Sequence, residues 1–299
     1  MLSNNTLPSL SVNTTRRLVK QGAMLLAAVF ALVIDTTAAV AQSTYSSEQL
    51  QKHFQRTAES YNMVLEAKPI ELQKKPLMNW FNNERQQDRG ALYVWEQQGK
   101  PLVLASIFTY EFNSRVYCRH EMISLADGPL TAQLDSQVVW SPQKTGMEWQ
   151  TIEQSVTPAN TANRRLIEMR SIVKQFSCQL KIPKTQPAKL TLLPQPLHRY
   201  QSRENGIIDG AIFSFAVGTD PEVLLVIEAV EKNGKSSYRF SPLRSHYHAV
   251  ELEKDGTVVW KAPSVIALES TTAGQRPYCL EPFFVLTPTK PLPTPDELN

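Results

Sequence analysis

The 299-residue chain is predicted to be an α+β protein, mostly β. The expected architecture is two tandem copies of an antiparallel five-stranded meander with two flanking helices. Three observations lead there. The sequence matches itself at a fixed offset, the matched segments carry hairpin dipeptides at equivalent places, and residues of high β propensity fill the intervals.

The offset is about 120 residues and lays segment 76–140 on segment 196–260 without a gap. Pro76-Leu77 falls on Pro196-Leu197, Trp80 on Tyr200, Gly90-Ala91 on Gly210-Ala211, Val103-Leu104 on Val223-Leu224, and Val138-Val139-Trp140 on Val258-Val259-Trp260. Roughly 16 of 65 positions are identical, where chance gives about four. The second segment has Asn233-Gly234 and Asp255-Gly256, whose two residues both tolerate positive φ. The first has Asn113-Ser114 and Asp135-Ser136, a weaker form of the same turns. Strands are therefore expected near 91–96, 102–110, 116–125, 129–134 and 137–140, and near 211–217, 222–230, 236–241, 246–253 and 257–260. Period-two alternation puts Val103, Ala105 and Ile107 on one apolar face, matched by Val223, Leu225 and Ile227.

Ser46-Ser47 can cap a helix with the apolar stripe Leu50, Phe54, Ala58, Tyr61 and Leu65, ending before Pro69. A second helix starts near Thr161 and carries Leu166, Met169, Ile172, Val173 and Phe176. Both stripes suit packing on a sheet. The implied organisation is an N-terminal helix within 42–68, a first repeat over 69–181 that includes the helix 161–180, a second repeat over 182–286, and a proline-rich tail over 287–299.

The first 41 residues read as an export signal: Arg16, Arg17 and Lys20, then an apolar run from Ala23 to Ile34, then Ala39-Val40-Ala41 before Gln42. The Arg16-Arg17 pair leaves open whether the general or the twin-arginine route is used. The expected destination is the periplasm or the exterior, after cleavage near Ala41. The run is too short to span a membrane, and no transmembrane segment is expected in the mature chain. Without those residues the balance is about 28 basic against 27 acidic groups, which excludes the basic patch that nucleic acid requires. Cys118, Cys178 and Cys279 permit one bridge at most, and Cys178 with Cys279, each near the end of a unit, is the expected pair.

The runs TGMEWQTI, RRLIEMRSIVKQFS, LTLLPQPLHRY, DGAIFSFAVGTDPEVLLVIEA and DGTVVW resemble a family of uncharacterised secreted bacterial proteins. The resemblance covers most of the mature chain and implies no activity, cofactor or catalytic residues. In that pattern a second histidine stands where this chain has Ile123, so the strand around His120 lacks its partner.

The sharpest local feature is His246-Tyr247-His248. On a strand, residues two apart share a face, so His246 and His248 could bind one metal ion. Ala126 and Gly128 stand at the matching positions of the first repeat, which suggests a pocket in the second. A third ligand would have to come from afar, with His198, Glu228 and Asp209 as candidates. His120 and Glu121 are adjacent, hence on opposite faces, and make a poor acid–base pair. Trp80, Trp95, Trp140, Trp149 and Trp260 suit a core better than a stacking platform. No nucleophile elbow, phosphate-binding glycine loop or zincin motif is present. The reading is an exported non-catalytic module that binds a small ligand, a polymer or an envelope protein and needs no cofactor. The alternative is a hydrolase or metal-dependent enzyme with its site around His246 and His248.

Overall fold

The computed structural model describes residues 45–85, 88–112, 115–153, 157–265 and 273–286. The expected export signal, the Asn113-Ser114 turn and the proline-rich tail lie outside them. The account below concerns the unit that begins at Ser46. It is mostly β, with four antiparallel sheets and two α-helices among the described residues.

Helix α1, Ser47–Glu59, starts where the sequence places it. The Ser46 hydroxyl accepts from the Gln49 amide at 3.2 Å, and the Gln49 side chain accepts from the Ser46 amide at 2.8 Å, a reciprocal cap. Leu50, Phe54 and Ala58 form its buried stripe. The helix stops earlier than expected: Tyr61 and Leu65 belong to a strand, β1 (Tyr61–Leu65), because that stretch pairs with a later strand instead of continuing the stripe. Next come β2 (Lys68–Pro69), β3 (Glu71–Leu72), β4 (Met78–Asn82), β5 (Asp88–Gln97), β6 (Lys100–Phe112), β7 (Arg115–Ser124), β8 (Leu130–Leu134), β9 (Gln137–Trp140) and the short β10 (Gln150–Thr151).

The second half has the same succession. Helix α2, Ala162–Val173, is capped by the Thr161 hydroxyl. Then follow β11 (Phe176–Lys181), β12 (Ala188–Lys189), β13 (Thr191–Leu192), β14 (His198–Ser202), β15 (Ile207–Val217), β16 (Asp220–Lys232), β17 (Lys235–Arg244), β18 (Ala249–Lys254), β19 (Thr257–Ala262) and β20 (Tyr278–Leu286). Phe176, expected on the helix, opens β11. Arg165, rather than Leu166, fills the inner face of α2, where its Nε donates to Asp209 Oδ2 at 3.0 Å.

Strand pairing corrects the five-stranded meander. In each half only three of the expected strands run consecutively, β5-β6-β7 and β15-β16-β17. The hairpin β8-β9 leaves that sheet and joins β1 and β2 in a four-stranded sheet, as β18-β19 joins β11 and β12. Edge occupancy accounts for this. The outer edge of β7 is taken by β20, which follows the second half, and the outer edge of β17 is taken by β10, which follows the first. Each half thus lends its last strand to the other half's sheet.

Both faces of the six-stranded sheets are apolar. In the second half Val223, Leu225 and Ile227 share a core with Met169, Val173, Cys178, Val250 and Leu252, so α2 belongs to this half and not to the first. Val103, Ala105 and Ile107 are equally buried in the first half, where Tyr61 of β1 meets Trp95 edge-on. The other faces meet between the halves: Leu92, Val94 and Leu104 pack with Ile212, Leu224 and Val226, together with Tyr278 and Leu280. Each such fully buried side chain is worth about 1.5–3 kcal/mol before entropy. The turns follow their residues. Asp135 and Ser136 lie at φ 49° and 63°, Asn233 and Gly234 at 54° and 69°, and Asp255 and Gly256 at 49° and 77°.

Candidate functional site: a cleft between the halves

Between the two halves lies a cavity of about 270 Å³. The first half supplies Trp80 from β4, Phe108 and Tyr110 from β6, and Arg119 and Glu121 from β7. The second supplies Asp220 at the start of β16 and the loop Ser245-His246-Tyr247. Leu280 of β20 closes one side.

Local chemistry positions each wall. Trp80 lies across Gly90 of the neighbouring strand, where a Cβ would come within 2.4 Å of its ring, and its Nε1 donates to Ser106 Oγ at 3.0 Å. At the end of β4 the Asn82 side-chain Oδ1 accepts from the amides of Glu84 and Arg85, which turns the chain and aims Arg85 inward. Asn82 Nδ2 donates to Asp220 Oδ2 at 3.0 Å across the two halves. Arg85 reaches Asp220 at 3.5 Å and Glu222 at 2.8 Å. Arg244 holds the histidine loop by donating to the carbonyls of His246, His248 and Pro263.

Three buried carboxyl groups therefore share one region: Glu121, Asp220 and Glu222, the last wholly buried. Burial pushes the Glu121 carboxyl up to about 7, although the Tyr278 hydroxyl donates to it and favours ionisation. Burial also lifts Asp220 to about 6, against the opposing pull of Asn82 and Arg85. Glu222 is raised well above the carboxylate range by burial and then by Asp220 beside it. Its Oε2 has no hydrogen-bond partner among the described residues, and neither has Ser245 Oγ. His246 Nε2 stands 3.8 Å from Oε2. His246 is neutral, since burial and then Arg85 depress its protonation. Its Nδ1 accepts from the His248 amide at 2.9 Å, so the ring proton sits on Nε2.

A second, smaller cavity of about 140 Å³ occupies the equivalent place on the opposite side. At the 120-residue offset Tyr200 stands for Trp80, Glu228 for Phe108, Arg239 for Arg119 and Lys100 for Asp220. Here every charge is matched. Glu228 accepts from the Tyr200 hydroxyl at 2.7 Å and from Arg239 Nε at 2.8 Å, and the Arg239 guanidinium stacks on Trp149 at 3.9 Å. Lys100 pairs with Asp127 at 2.6 Å. In the larger cleft Phe108 replaces the glutamate, leaving Arg119 with no carboxylate among the described residues.

Of the residues singled out from sequence, His246 reaches the cleft wall and His248 lies outside it. Residues 246–248 form a bend and β18 starts at Ala249, so the two imidazoles do not share a strand face. Each of the proposed third ligands is engaged by other residues. Asp209 is held by Arg165 and Arg199, Glu228 by Tyr200 and Arg239, and His198 by Glu96 at 2.5 Å. No group of three metal-type donors occurs among the described residues. His120 and Glu121 do point apart. Glu121 faces the cleft, whereas His120 is buried against Tyr61, with a 2.6 Å hydrogen bond at Nδ1 and its protonation depressed to about 3 by burial. Cys118, Cys178 and Cys279 are all buried. The suggested bridge is absent because Cys178 lies in the second half's core and Cys279 on the first half's sheet. Trp95 and Trp140 are core residues, as expected, but Trp80 lines the cleft.

Asp220, Glu222 and Arg85 escaped sequence reading. A signal existed at the same offset, where the first half keeps Lys100 and Leu102 at the positions of the two acids. No helix among the described residues is long and apolar enough to cross a membrane. No protein-family model, curated protein or solved structure matches the chain.

Proposed function

We propose that this protein is an exported binding module whose site is the cleft between its halves, and that the halves are tandem copies of one ancestral unit. The observation that carries the reading is the inequality of the two equivalent cavities. One is closed by matched charges and an arginine stacked on tryptophan. The other is larger, and has buried carboxyls, with an arginine that meets no carboxylate and a serine hydroxyl that meets no partner among the described residues. Buried polar groups without partners cost about 1–3 kcal/mol each, a cost that a bound ligand relieves. A largely apolar, aromatic wall with a few convergent polar groups is the usual make-up of a small-molecule site. The N-terminal run from Arg16 to Ala41 supports export to the periplasm or beyond.

A ligand-observed NMR screen of a small-metabolite library tests this. Ser245→Leu puts into the cleft the residue that the equivalent cavity carries at Leu125. Compounds that bind the wild type and not Ser245→Leu support the assignment; compounds that bind both equally place the site elsewhere.

A further inference from the structure

Resting on that reading of the cleft, we infer that its ligand is a small zwitterion, a free α-amino acid with an apolar or aromatic side chain. Arg119 and Glu121 lie two residues apart on β7, hence on one face and about 6.6 Å apart along the strand. Opposite charges so placed would ordinarily pair. They do not, because β20 holds each one separately. The Tyr278 hydroxyl donates to Glu121 Oε1, and Arg119 Nη2 donates to the Leu280 carbonyl at 3.0 Å. Arg119 Nε has no partner among the described residues. A carboxyl and a guanidinium held side by side, each with bonding capacity to spare, match the ammonium and carboxylate that an α-amino acid carries on adjacent carbons, the docked ammonium favouring the ionised form of Glu121.

The rest of the cleft agrees with this. Asp220 stands on the opposing wall, and Ser245, only 2% exposed, lines the cavity with an Oγ that has no partner among the described residues. Both can take hydrogens from an ammonium group. Arg85 is already engaged by Asp220 and Glu222, and Arg244 by three carbonyls, so neither competes for the ligand's carboxylate. Trp80, Phe108, Tyr110 and Tyr247 supply an apolar lining for the side chain. A 150 Å³ cavity accommodates benzene, so 270 Å³ has room for about eleven non-hydrogen atoms, the size of leucine or phenylalanine.

The experiment is calorimetric titration of the purified full chain with phenylalanine, phenylalaninamide, N-acetylphenylalanine and phenylpropionate. Phenylalanine should bind, and each analogue lacking one charge should bind about tenfold or more weakly. Glu121→Gln should weaken phenylalanine about tenfold while leaving N-acetylphenylalanine unchanged, and Arg119→Met should weaken phenylalanine about tenfold while leaving phenylalaninamide unchanged. The analogue series needs no variant to fold. Equal affinity across the series, or cleft ligands from the metabolite screen that all lack one of the two charges, would overturn the zwitterion and leave the binding site standing. If no compound of any kind is lost in Ser245→Leu, the site itself fails.

Discussion

Glu121→Gln offers a direct test of how the cleft is built. In the folded chain burial raises the Glu121 carboxyl from 4.5 to about 7. At about 1.4 kcal/mol per pH unit, that difference amounts to about 3 kcal/mol. The folded state binds the proton more tightly than the unfolded state, so this group makes stability fall as pH rises. The loss begins near 4.5, where the unfolded carboxyl ionises, and is complete a little above 7. Below 4.5 both states are protonated and the contribution vanishes. A glutamine is neutral throughout and still accepts from the Tyr278 hydroxyl, so the variant should lose this part of the slope. Urea unfolding at pH 4 and at pH 8 reads the effect: relative to wild type, Glu121→Gln should gain about 3 kcal/mol between the two, most of it between 4.5 and 7. Parallel stability curves would refute the claim that this carboxyl is desolvated in the native state.

Other consequences follow from particular contacts. Gly90→Ala drives a methyl group into the Trp80 ring and should lower stability by about 1–3 kcal/mol, with loss of indole protection from fluorescence quenchers. Ser136 sits at φ 63° in the β8–β9 turn, so Ser136→Gly should raise the unfolding free energy by about 0.5–1 kcal/mol in the same urea assay. Tyr61→Phe leaves His120 Nδ1 buried without its partner. It should cost about 1–3 kcal/mol in denaturation while cleft ligands still bind, because His120 faces away from the cleft. Purified protein should carry no stoichiometric zinc by elemental analysis. Zinc present in the wild type and lost in both His246→Ala and His248→Ala would support the metal reading instead.

Local chemistry was readable wherever a residue and its near neighbours settle the outcome. Ser46 and Thr161 cap helices because their hydroxyls meet amides three residues on. Asp255-Gly256 turns because both residues tolerate positive φ. Val223, Leu225 and Ile227 share a buried face, as alternation requires. The helix ends were misread because Tyr61 and Phe176 satisfy a helical stripe and a strand equally well. Only the pairing of β1 with β8 and of β11 with β18 decides between them. His246 and His248 were read as strand residues because nothing in their neighbourhood signals that the strand begins at Ala249.

The succession of the three central strands in each half, the shared buried face of Val103, Ala105 and Ile107 and of Val223, Leu225 and Ile227, and the near balance of charge over residues 42–299 were legible in the sequence alone, because they depend on periodicity, turn geometry and composition. Which edge each strand joins was decided by tertiary structure. The β8-β9 hairpin departs because β20 already covers β7, and β20 is 138 residues beyond β9. The same long-range exchange brings Glu121 of the first half beside Asp220 and Glu222 of the second. Burial depends on what packs against a residue from outside its own segment, so the carboxyls acquire their unusual protonation only when the two halves close on each other.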